Sequence, residues 1–184
     1  MALKFGDIEK LFGEHGHIEY AGEGVSQLEH ALQSAHAAEL EGATPELVTS
    51  ALLHDLGHIL NPLGETPTAR GIDDQHQYYA LPFIRPLFGD AVCEPIRLHV
   101  EAKRTLCALE PDYYEALSED SRRSLTLQGG IHTRAETDAF LAKPFAEDAI
   151  RVRRWDDAAK IPGAATPPLA HYLEIAARVS VTPA

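Results

Sequence analysis

Hydrophobic side chains recur every three or four residues along most of the chain, which is the spacing of an amphipathic α-helix. In residues 24–40, GVSQLEHALQSAHAAEL, the apolar positions Val25, Leu28, Leu32 and Ala35 follow this period. Stretches that alternate apolar and polar residues, as half-buried β-strands do, are scarce. The pattern therefore predicts an all-α fold, a bundle of helices packed on their apolar faces.

A second helix is predicted in residues 44–60, TPELVTSALLHDLGHIL, where Thr44 can cap the N-terminus and Pro45 fits the first turn. A loop rich in Pro, Gly and Asp follows. Helical spacing then returns, with breaks expected at Pro82 and Pro86. The further helical stretches are predicted at residues 75–89, 90–109, 118–128, 134–142, 145–160 and 167–179.

The length of 184 residues is typical of one domain with a sizeable core. We therefore expect a single domain over residues 1–184. Within it, residues 1–19 should form an N-terminal helix and the approach to a lid, and residues 161–184 a C-terminal loop and a closing helix.

The formal charge of −12 argues against nucleic acid and anionic membranes as partners, because both bind basic surfaces, but it permits a small anionic substrate. No apolar run is long enough to span a membrane, and residues 1–20 lack the apolar core of a signal peptide. Cys93 and Cys107 form no spacing pattern, so we interpret them as reduced thiols of a cytoplasmic protein. The sequence indicates no oligomeric state.

Three ionisable residues, His54, Asp55 and His58, interrupt the apolar stretch SALLHDLGHIL. A core helix does not need them, but a metal site does, since imidazole and carboxylate together suit Fe, Mn, Zn and similar divalent ions. On one helix His54 and Asp55 would point about 100° apart, so that the carboxylate could bridge two ions. Each histidine taken alone is better explained as an ordinary core or surface residue. Together with His30 and Asp156, the His-Asp pair is better explained as a ligand set.

In order and spacing these four ligand candidates resemble the H…HD…D pattern of the HD-domain superfamily, whose members are helical metalloproteins. Most members are phosphohydrolases that use the metal to activate water. Two further histidines, His76 and His99, would complete a dinuclear set of four histidines and two aspartates. This set is similar to that of the oxygenase branch, although some dinuclear HD phosphodiesterases share it.

The surrounding residues resemble the phosphonate-cleaving mixed-valent diiron oxygenases of the PhnZ and TmpB type over about residues 20–160. The segments that carry the resemblance are EYAGEGVSQLEHALQSA, ALLHDLGH, HVEAKR, SRRSLTLQGG and RRWDDAAK. The resemblance implies one iron held by His30, His54, Asp55 and Asp156, and a second held by Asp55, His76 and His99. It also implies an Fe(II)/Fe(III) cofactor, O2 as co-substrate, and a substrate that chelates one iron through its C1 hydroxyl and a phosphonate oxygen.

A phosphonate bound by an acidic protein needs directed donors. Lys103 follows His99 by four residues and His58 follows His54 by four, so each donor shares a helix face with a candidate ligand. Arg153 precedes the candidate ligand aspartate by nearly one turn and ranks lower, because it could simply hold that aspartate by a salt bridge. An ordinary surface position is the alternative for Lys103.

Ser121, Ser124 and Gln128 form one helical stripe of neutral donors, which we add to the predicted phosphonate pocket. Ser121 also lies near a helix N-terminus, where backbone N–H groups favour an anion. Ordinary capping and a solvated helix face are the alternative for the two serines.

In the segment EYAGEG, Tyr20 and Glu23 match residues that form a lid in this family. The resemblance implies that the tyrosine occupies the O2 position on iron until substrate displaces it, and that the glutamate contacts the amino end of the substrate. Gly22 and Gly24 would let the segment move. An N-terminal turn with an exposed glutamate is the alternative. The residues predicted to act in the reaction are Tyr20, Glu23, His58 and Lys103.

The predicted reaction is O2-dependent cleavage of the C–P bond of (R)-1-hydroxy-2-(trimethylammonio)ethylphosphonate, giving glycine betaine and phosphate. This small-molecule organophosphonate is placed first because the loop at residues 61–74 departs from the PhnZ type, which favours the substrate of TmpB-like enzymes. The same chemistry on (R)-1-hydroxy-2-aminoethylphosphonate, giving glycine, is one alternative. A metal-dependent HD phosphohydrolase is another, although the low basic content and the lid argue against it. A non-enzymatic HD domain is disfavoured because a scaffold has no reason to bury six metal ligands.

Overall fold

The fold is built from helices throughout the part of the chain that is described. The computed structural model describes residues 3–20, 22–61, 63 and 67–181. The α-helices are α1 (Phe5–His15), α2 (Gln27–Leu40), α3 (Pro45–Leu53), α4 (Leu56–Leu60), α5 (His76–Tyr79), α6 (Leu81–Ile84), α7 (Asp90–Leu109), α8 (Pro111–Ala116), α9 (Glu119–Leu127), α10 (Arg134–Leu141), α11 (Ala146–Ala158) and α12 (Leu169–Val179). Within the described ranges no strand forms, so the predicted all-α fold is confirmed.

Four helices, α2, α3, α7 and α11, form the centre of the bundle, and α1 and α12 pack on its outside. Ala35, Leu52, Ile96 and Val152 come one from each central helix and are at most 1% exposed. Burying a side chain of the size of leucine stabilises a fold by about 1.5–3 kcal/mol. This apolar core therefore fixes the four helices whose polar residues meet at the site described below.

Residues 44–60 form α3 and α4 rather than the single helix that the periodicity predicts. The backbone leaves helical geometry at Asp55, with φ −104° and ψ 11°. After the break, α4 lies against the backbone of α5, and a Cβ on Gly57 would be 2.0 Å from the carbonyl oxygen of His76. Because α3 ends at Leu53 and α4 begins at Leu56, His54 and Asp55 lie in the turn between the two helices and not within one helix, as the expected angle of about 100° assumed.

The chain before α7 forms two short helices that meet at Ala80, not at Pro82 as predicted. Pro82 lies in the first turn of α6, where a missing N–H group removes no helical hydrogen bond. The break expected at Pro86 is confirmed, since α6 ends before it. Gln75 has a left-handed φ of 50°, so the chain turns sharply there and α5 begins at the next residue, His76.

The loop between α4 and α5 packs on α9 through a short 3₁₀ turn, Thr68–Arg70. Thr68 Oγ1 donates a hydrogen bond of 2.5 Å to Asp120 Oδ1. Asn61 Nδ2 donates to the carbonyl oxygen of Asp74 at 3.0 Å, which closes the base of the loop. The predicted departure of this loop from the PhnZ type falls partly on residues 62 and 64–66, which lie outside the described residues.

The predicted terminal segments are present as helices α1 and α12, while residues 1–2 and 182–184 lie outside the described ranges. Among the described helices, none has the length and apolar character needed to cross a membrane. The single domain over residues 1–184 and the cytoplasmic location stay predictions.

Candidate metal centre and adjoining cavity

Six ionisable side chains meet between the central helices, and they are the six that the sequence predicts as ligands. All are at most 7% exposed. Their ligand atoms form two groups that share one aspartate, and within each group the atoms lie within 4.8 Å of one another. The first group is His30, His54, Asp55 and Asp156, and the second is Asp55, His76 and His99.

Asp55 lies between the two groups and turns one carboxylate oxygen to each. Its Oδ2 atom is 3.4 Å from Nε2 of both His30 and His54. Its Oδ1 atom is 3.4 Å from Nε2 of His76 and 3.7 Å from Nε2 of His99. A carboxylate in this position can bridge two cations, each of which would also have two imidazole nitrogens within reach.

Hydrogen bonds to Nδ1 fix the orientation of the imidazoles. Carbonyl oxygens of Ala159, Ala51 and Ile96 accept from Nδ1 of His30, His54 and His99 at 2.9, 2.8 and 2.7 Å, respectively. Because a carbonyl oxygen can only accept, Nδ1 carries the hydrogen in each ring and Nε2 presents a lone pair to the centre. Such partners are the usual support of metal-binding histidines.

The Nε2 atoms face each other at short distances, 3.2 Å between His30 and His54 and 3.0 Å between His76 and His99. Within the first pair, where both rings donate through Nδ1, the two Nε2 atoms point into the same space. A cation held there would be bound by both rings.

Two buried oxygens in the centre, Asp55 Oδ2 and Asp156 Oδ1, accept no hydrogen bond. Leaving a buried acceptor without a partner costs on the order of 1–3 kcal/mol. Burial and the neighbouring rings of His76 and His54 lower the pKa of His99, which keeps this imidazole neutral. Burial opposes ionisation of Asp55, but the imidazoles of His54 and His58 hold its pKa well below the usual range. Burial opposes charge on His54 as well, but Asp55 and Asp156 raise its pKa, so a metal would displace a proton from this ring. Neutral imidazole and ionised carboxylate are the forms that bind metal, and this nitrogen and oxygen set fits iron.

Comparison with known proteins agrees with this geometry. The family model of the HD domain matches residues 27–159. A hydroxymethylphosphonate dioxygenase of Gimesia maris is 47% identical over 164 residues, which cover 89% of this chain and 81% of that protein. A 1-hydroxy-2-(trimethylamino)ethylphosphonate dioxygenase (glycine-betaine-forming) of Leisingera caerulea is 36% identical over 172 residues, which cover 94% of this chain and 88% of that protein.

The chain belongs to the HD-domain oxygenases of the PhnZ and TmpB type. The family predicted from the sequence is thereby confirmed, and with it an enzyme that has a metal-binding cluster of histidines and aspartates. The family also decides against the phosphohydrolase and the non-enzymatic HD domain that the ligand pattern alone left open.

In this HD-domain oxygenase a cavity of about 40 Å³ adjoins the metal centre. The predicted residues that line it, besides four of the candidate ligands, are Tyr20, His58, Lys103, Ser121, Ser124, Gln128 and Arg153. The structure thus brings the predicted phosphonate residues together. Glu23 is the exception, since it does not line this cavity.

Lys103 brings a buried ammonium group to the cavity. The residue is 2% exposed, so the alternative of an ordinary surface lysine is wrong. Its Nζ atom donates to Ser124 Oγ at 2.7 Å, and Ser124 Oγ donates to the carbonyl oxygen of Ser121 at 3.0 Å. Burial and the nearby Arg153 guanidinium lower the pKa of Lys103 to about 7. An anion in the cavity would favour the charged form.

Arg153 lines the cavity and also forms a salt bridge with the candidate ligand Asp156, which was the alternative role considered for it. Its guanidinium donates to Asp156 Oδ2 at 2.6 Å and forms a second ion pair with Asp157. On the opposite helix, the N–H group of Ser121 donates to Ser118 Oγ at 3.2 Å. That N–H group is therefore already used by the helix cap, so an anion in the cavity would need the side-chain hydroxyl of Ser121 as its donor.

Asp74 is a residue of the site that sequence reasoning missed. Its two carboxylate oxygens lie 2.6 Å from Nδ1 of His58 and 2.9 Å from Nδ1 of His76, so it orients both rings. Burial favours neutral His58, but the carboxylates of Asp55 and Asp74 outweigh it and raise the pKa of His58 to about 9. The available signal was an aspartate two residues before a candidate ligand histidine.

The lid predicted around Tyr20 is a hydrogen-bonded turn over the metal centre. Tyr20 N–H donates to Val25 O, and Glu23 N–H donates to Tyr20 O, both at 2.8 Å. Gly22 and Gly24 have φ of 77° and 75°, in the region that glycine adopts most readily. The Tyr20 ring stacks on His30 with centroids 3.9 Å apart. Burial and the carboxylates of Asp156 and Asp55 raise the pKa of the Tyr20 hydroxyl well above its usual value.

Lys160 is the second residue that sequence reasoning missed. Its Nζ atom lies 3.4 Å from Glu23 Oε1, 3.4 Å from Ser121 Oγ and 5.7 Å from the centre of the Tyr20 ring. It therefore connects the lid with the serine side of the cavity. The signal was its position four residues after Asp156, the same spacing by which Lys103 was found.

Proposed function

We propose that this HD-domain oxygenase holds two iron ions and uses O2 to cleave the C–P bond of a 1-hydroxyphosphonate. The observation that carries the proposal is a single carboxylate, Asp55, placed between two imidazole pairs beside a cavity that contains buried Lys103. In the balanced reaction, R–CH(OH)–PO₃²⁻ and O2 give R–COO⁻, HPO₄²⁻ and H⁺. O2 takes up the four electrons that the hydroxyl-bearing carbon loses.

The iron ligands would be His30, His54, Asp55 and Asp156 for one ion, and Asp55, His76 and His99 for the other. Bound iron would supply the redox chemistry by which O2 oxidises the carbon. The chain itself would orient the substrate. Lys103 and His58 would bind the phosphonate oxygens, with hydroxyl and amide donors from Ser121, Ser124 and Gln128.

Tyr20 would protect the centre before substrate binds. Its ring covers His30, and its buried hydroxyl is surrounded by the carboxylates of Asp55 and Asp156. In this position it would keep water and O2 from the metal ligands. Substrate binding would move the turn that carries Tyr20 and uncover them.

The candidate substrates differ in the substituent on the hydroxyl-bearing carbon. The trimethylammonio compound predicted from the sequence is supported by the relative at 36% identity, which is named for that substrate. The relative at 47% identity is named for hydroxymethylphosphonate, in which the carbon carries only hydrogen and the products would be formate and phosphate. The primary amine, which would give glycine, is the third candidate.

The deciding experiment measures phosphate release and O2 uptake by iron-loaded protein with hydroxymethylphosphonate and the two C2-ammonio compounds, under air and without oxygen. We expect phosphate to appear only under air, with one O2 consumed for each phosphate released. Phosphate released without oxygen, from these compounds or from phosphomonoesters, would show a hydrolase and overturn the proposal.

A further inference from the structure

A nearly buried ion pair joins the lid to the serine side of the cavity. The side chains of Lys160 and Glu23 are 14% and 16% exposed, and their charged atoms are 3.4 Å apart. The same ammonium group contacts the hydroxyl oxygens of Ser118 and Ser121 at 3.5 and 3.4 Å. Neither the metal ligands nor the phosphonate donors proposed above include this lysine.

We infer that Lys160 determines substrate specificity by occupying the position at Glu23 and Tyr20 that a cationic group of the substrate would need. The site would then select 1-hydroxyphosphonates that carry no positive charge at C2, such as hydroxymethylphosphonate. This inference rests on the proposed C–P cleavage and concerns only the substituent that the site accepts.

The chemistry of the lid supports this assignment. A substrate ammonium group is recognised by a carboxylate and, when it is quaternary, by the faces of aromatic rings. The lid offers one of each, and Lys160 already contacts both, at 3.4 Å from the Glu23 carboxylate and 5.7 Å from the Tyr20 ring centre. Among the described residues that line the cavity, Tyr20 is also the one phenol or phenyl ring.

A lysine that is part of the chain competes well against a free substrate cation. Its tether gives it a high effective concentration at Glu23, and the hydroxyls of Ser118 and Ser121 hold it in place. Displacing it would leave a largely buried ammonium without its carboxylate partner, which costs free energy. A substrate without a cation avoids this exchange.

Lys103 and Arg153 line the cavity and Lys160 contacts Ser121 at its edge, so three cationic side chains lie around the predicted phosphonate position and attract its dianion. Four aspartates, Asp55, Asp74, Asp120 and Asp156, also line the cavity. The exclusion of a substrate cation therefore depends on Lys160 at Glu23 rather than on the charge of the cavity as a whole.

The test compares iron-loaded wild type with Lys160→Met, which keeps the length of the side chain and removes its charge. Both kcat/KM under air and anaerobic binding by calorimetry are measured for hydroxymethylphosphonate and for the 2-amino and 2-trimethylammonio compounds. Lys10→Met is the matched control, because Lys10 is an exposed residue of α1 that pairs with Glu14 at 3.8 Å.

Wild type should prefer hydroxymethylphosphonate over both cationic compounds by about tenfold or more in kcat/KM. Lys160→Met should reverse or abolish this preference, because it leaves Glu23 free to receive a substrate cation. Lys160→Arg should keep the wild-type preference, and Lys10→Met should change neither kcat/KM nor binding.

Glu23→Gln tests the same inference independently if Lys160→Met does not fold. Since Lys160 already neutralises Glu23, this variant should change kcat/KM for the cationic compounds no more than for hydroxymethylphosphonate. A selective loss on the cationic compounds would show that Glu23 binds the substrate cation and would overturn the inference.

The inference is also overturned if wild type prefers a cationic compound, or if Lys160→Met changes all three substrates equally. Either result leaves C–P cleavage itself intact, because phosphate is still released. If no hydroxyphosphonate binds or releases phosphate with wild type, the proposed function fails, and this inference falls with it.

Discussion

Asp55 contacts both histidine pairs through different carboxylate oxygens, so at the scale of single residues it gives the most direct test of an iron pair. We expect Asp55→Ala to lose bound iron and O2-dependent phosphate release together, with activity down by about a thousandfold or more. Iron content per chain and phosphate release measure the two effects. Turnover retained in the variant would rule out the bridging assignment.

The control for this variant is Asp138→Ala. Asp138 forms an exposed pair with Arg134, a kind of interaction that contributes on the order of 0.2–1 kcal/mol. We expect this variant to bind iron and turn over as the wild type does, since its carboxylate is remote from the ligands that the structure brings together.

Lys103 predicts a pH dependence at the same scale. Its pKa is lowered to about 7, so the ammonium form that binds a phosphonate is lost as the pH rises through that value. We therefore expect kcat/KM, which reports the free enzyme, to fall above neutral pH and to approach about a tenfold loss per pH unit.

Lys103→Arg separates this ionisation from others in the site. A guanidinium group stays charged throughout this range, so the alkaline decrease should move to higher pH in the variant. A decrease at the same pH in both proteins would show that another group controls it.

At the scale of the elements, the contact between α4 and α5 is decided by one glycine. A Cβ on Gly57 would lie 2.0 Å from the carbonyl oxygen of His76, so Gly57→Ala must push α5 away and displace a candidate iron ligand. We expect a loss of iron and a destabilisation of about 1–3 kcal/mol, as for overpacked cores. Thermal unfolding and iron content would show it.

Gly13→Ala is the matched change, because a Cβ on Gly13 in α1 would have no heavy atom within 4 Å. Alanine is the better helix former by about 1 kcal/mol, so this variant should be as stable as wild type or more so. If Gly57→Ala behaved in the same way, the close packing of α4 against α5 would be refuted.

The elements themselves were largely predictable, because helix formation follows local spacing and local caps. The Thr44 cap accepts from Leu47 N–H, as its position before Pro45 predicted. The break at Asp55 could not be predicted in this way. Nothing in the apolar periodicity of residues 44–60 marks this break. The break places α4 against α5, which follows only after a loop, and that contact has no signal within residues 44–60.

At the scale of the whole molecule, metal binding and stability should be linked. The centre buries two acceptor oxygens without hydrogen bonds, and its ligands come from four helices and the α3–α4 turn, which only the folded chain brings together. Iron should therefore bind the folded state in preference to the unfolded one, and this stabilises the protein by about 2.7 kcal/mol at a hundredfold excess over Kd.

We expect anaerobic iron loading to raise Tm by several degrees and a chelator to reverse the shift, which differential scanning calorimetry would record. Asp55→Ala should show no such shift, since it lacks the shared carboxylate. An equal Tm with iron and with chelator in the wild type would contradict the linkage.

The sequence by itself determined the helical fold, the six candidate ligands and most of the predicted phosphonate residues. Periodicity reports which face of a helix is apolar, and polar residues that interrupt such a face, like His54 and Asp55, stand out against it. The spacing of Lys103 after His99 likewise places both on one face of α7, where the structure has them.

Only the tertiary structure decided how these residues face one another. Asp74 contacts His58 from the far side of the α4–α5 loop, and Lys160 pairs with Glu23 across 137 positions of the chain. Neither contact has a local signature, because a hydrogen bond between distant residues depends on the angles at which the helices pack. The packing of the bundle, rather than any motif, therefore determines which cation faces the lid and which carboxylate lies between the two histidine pairs.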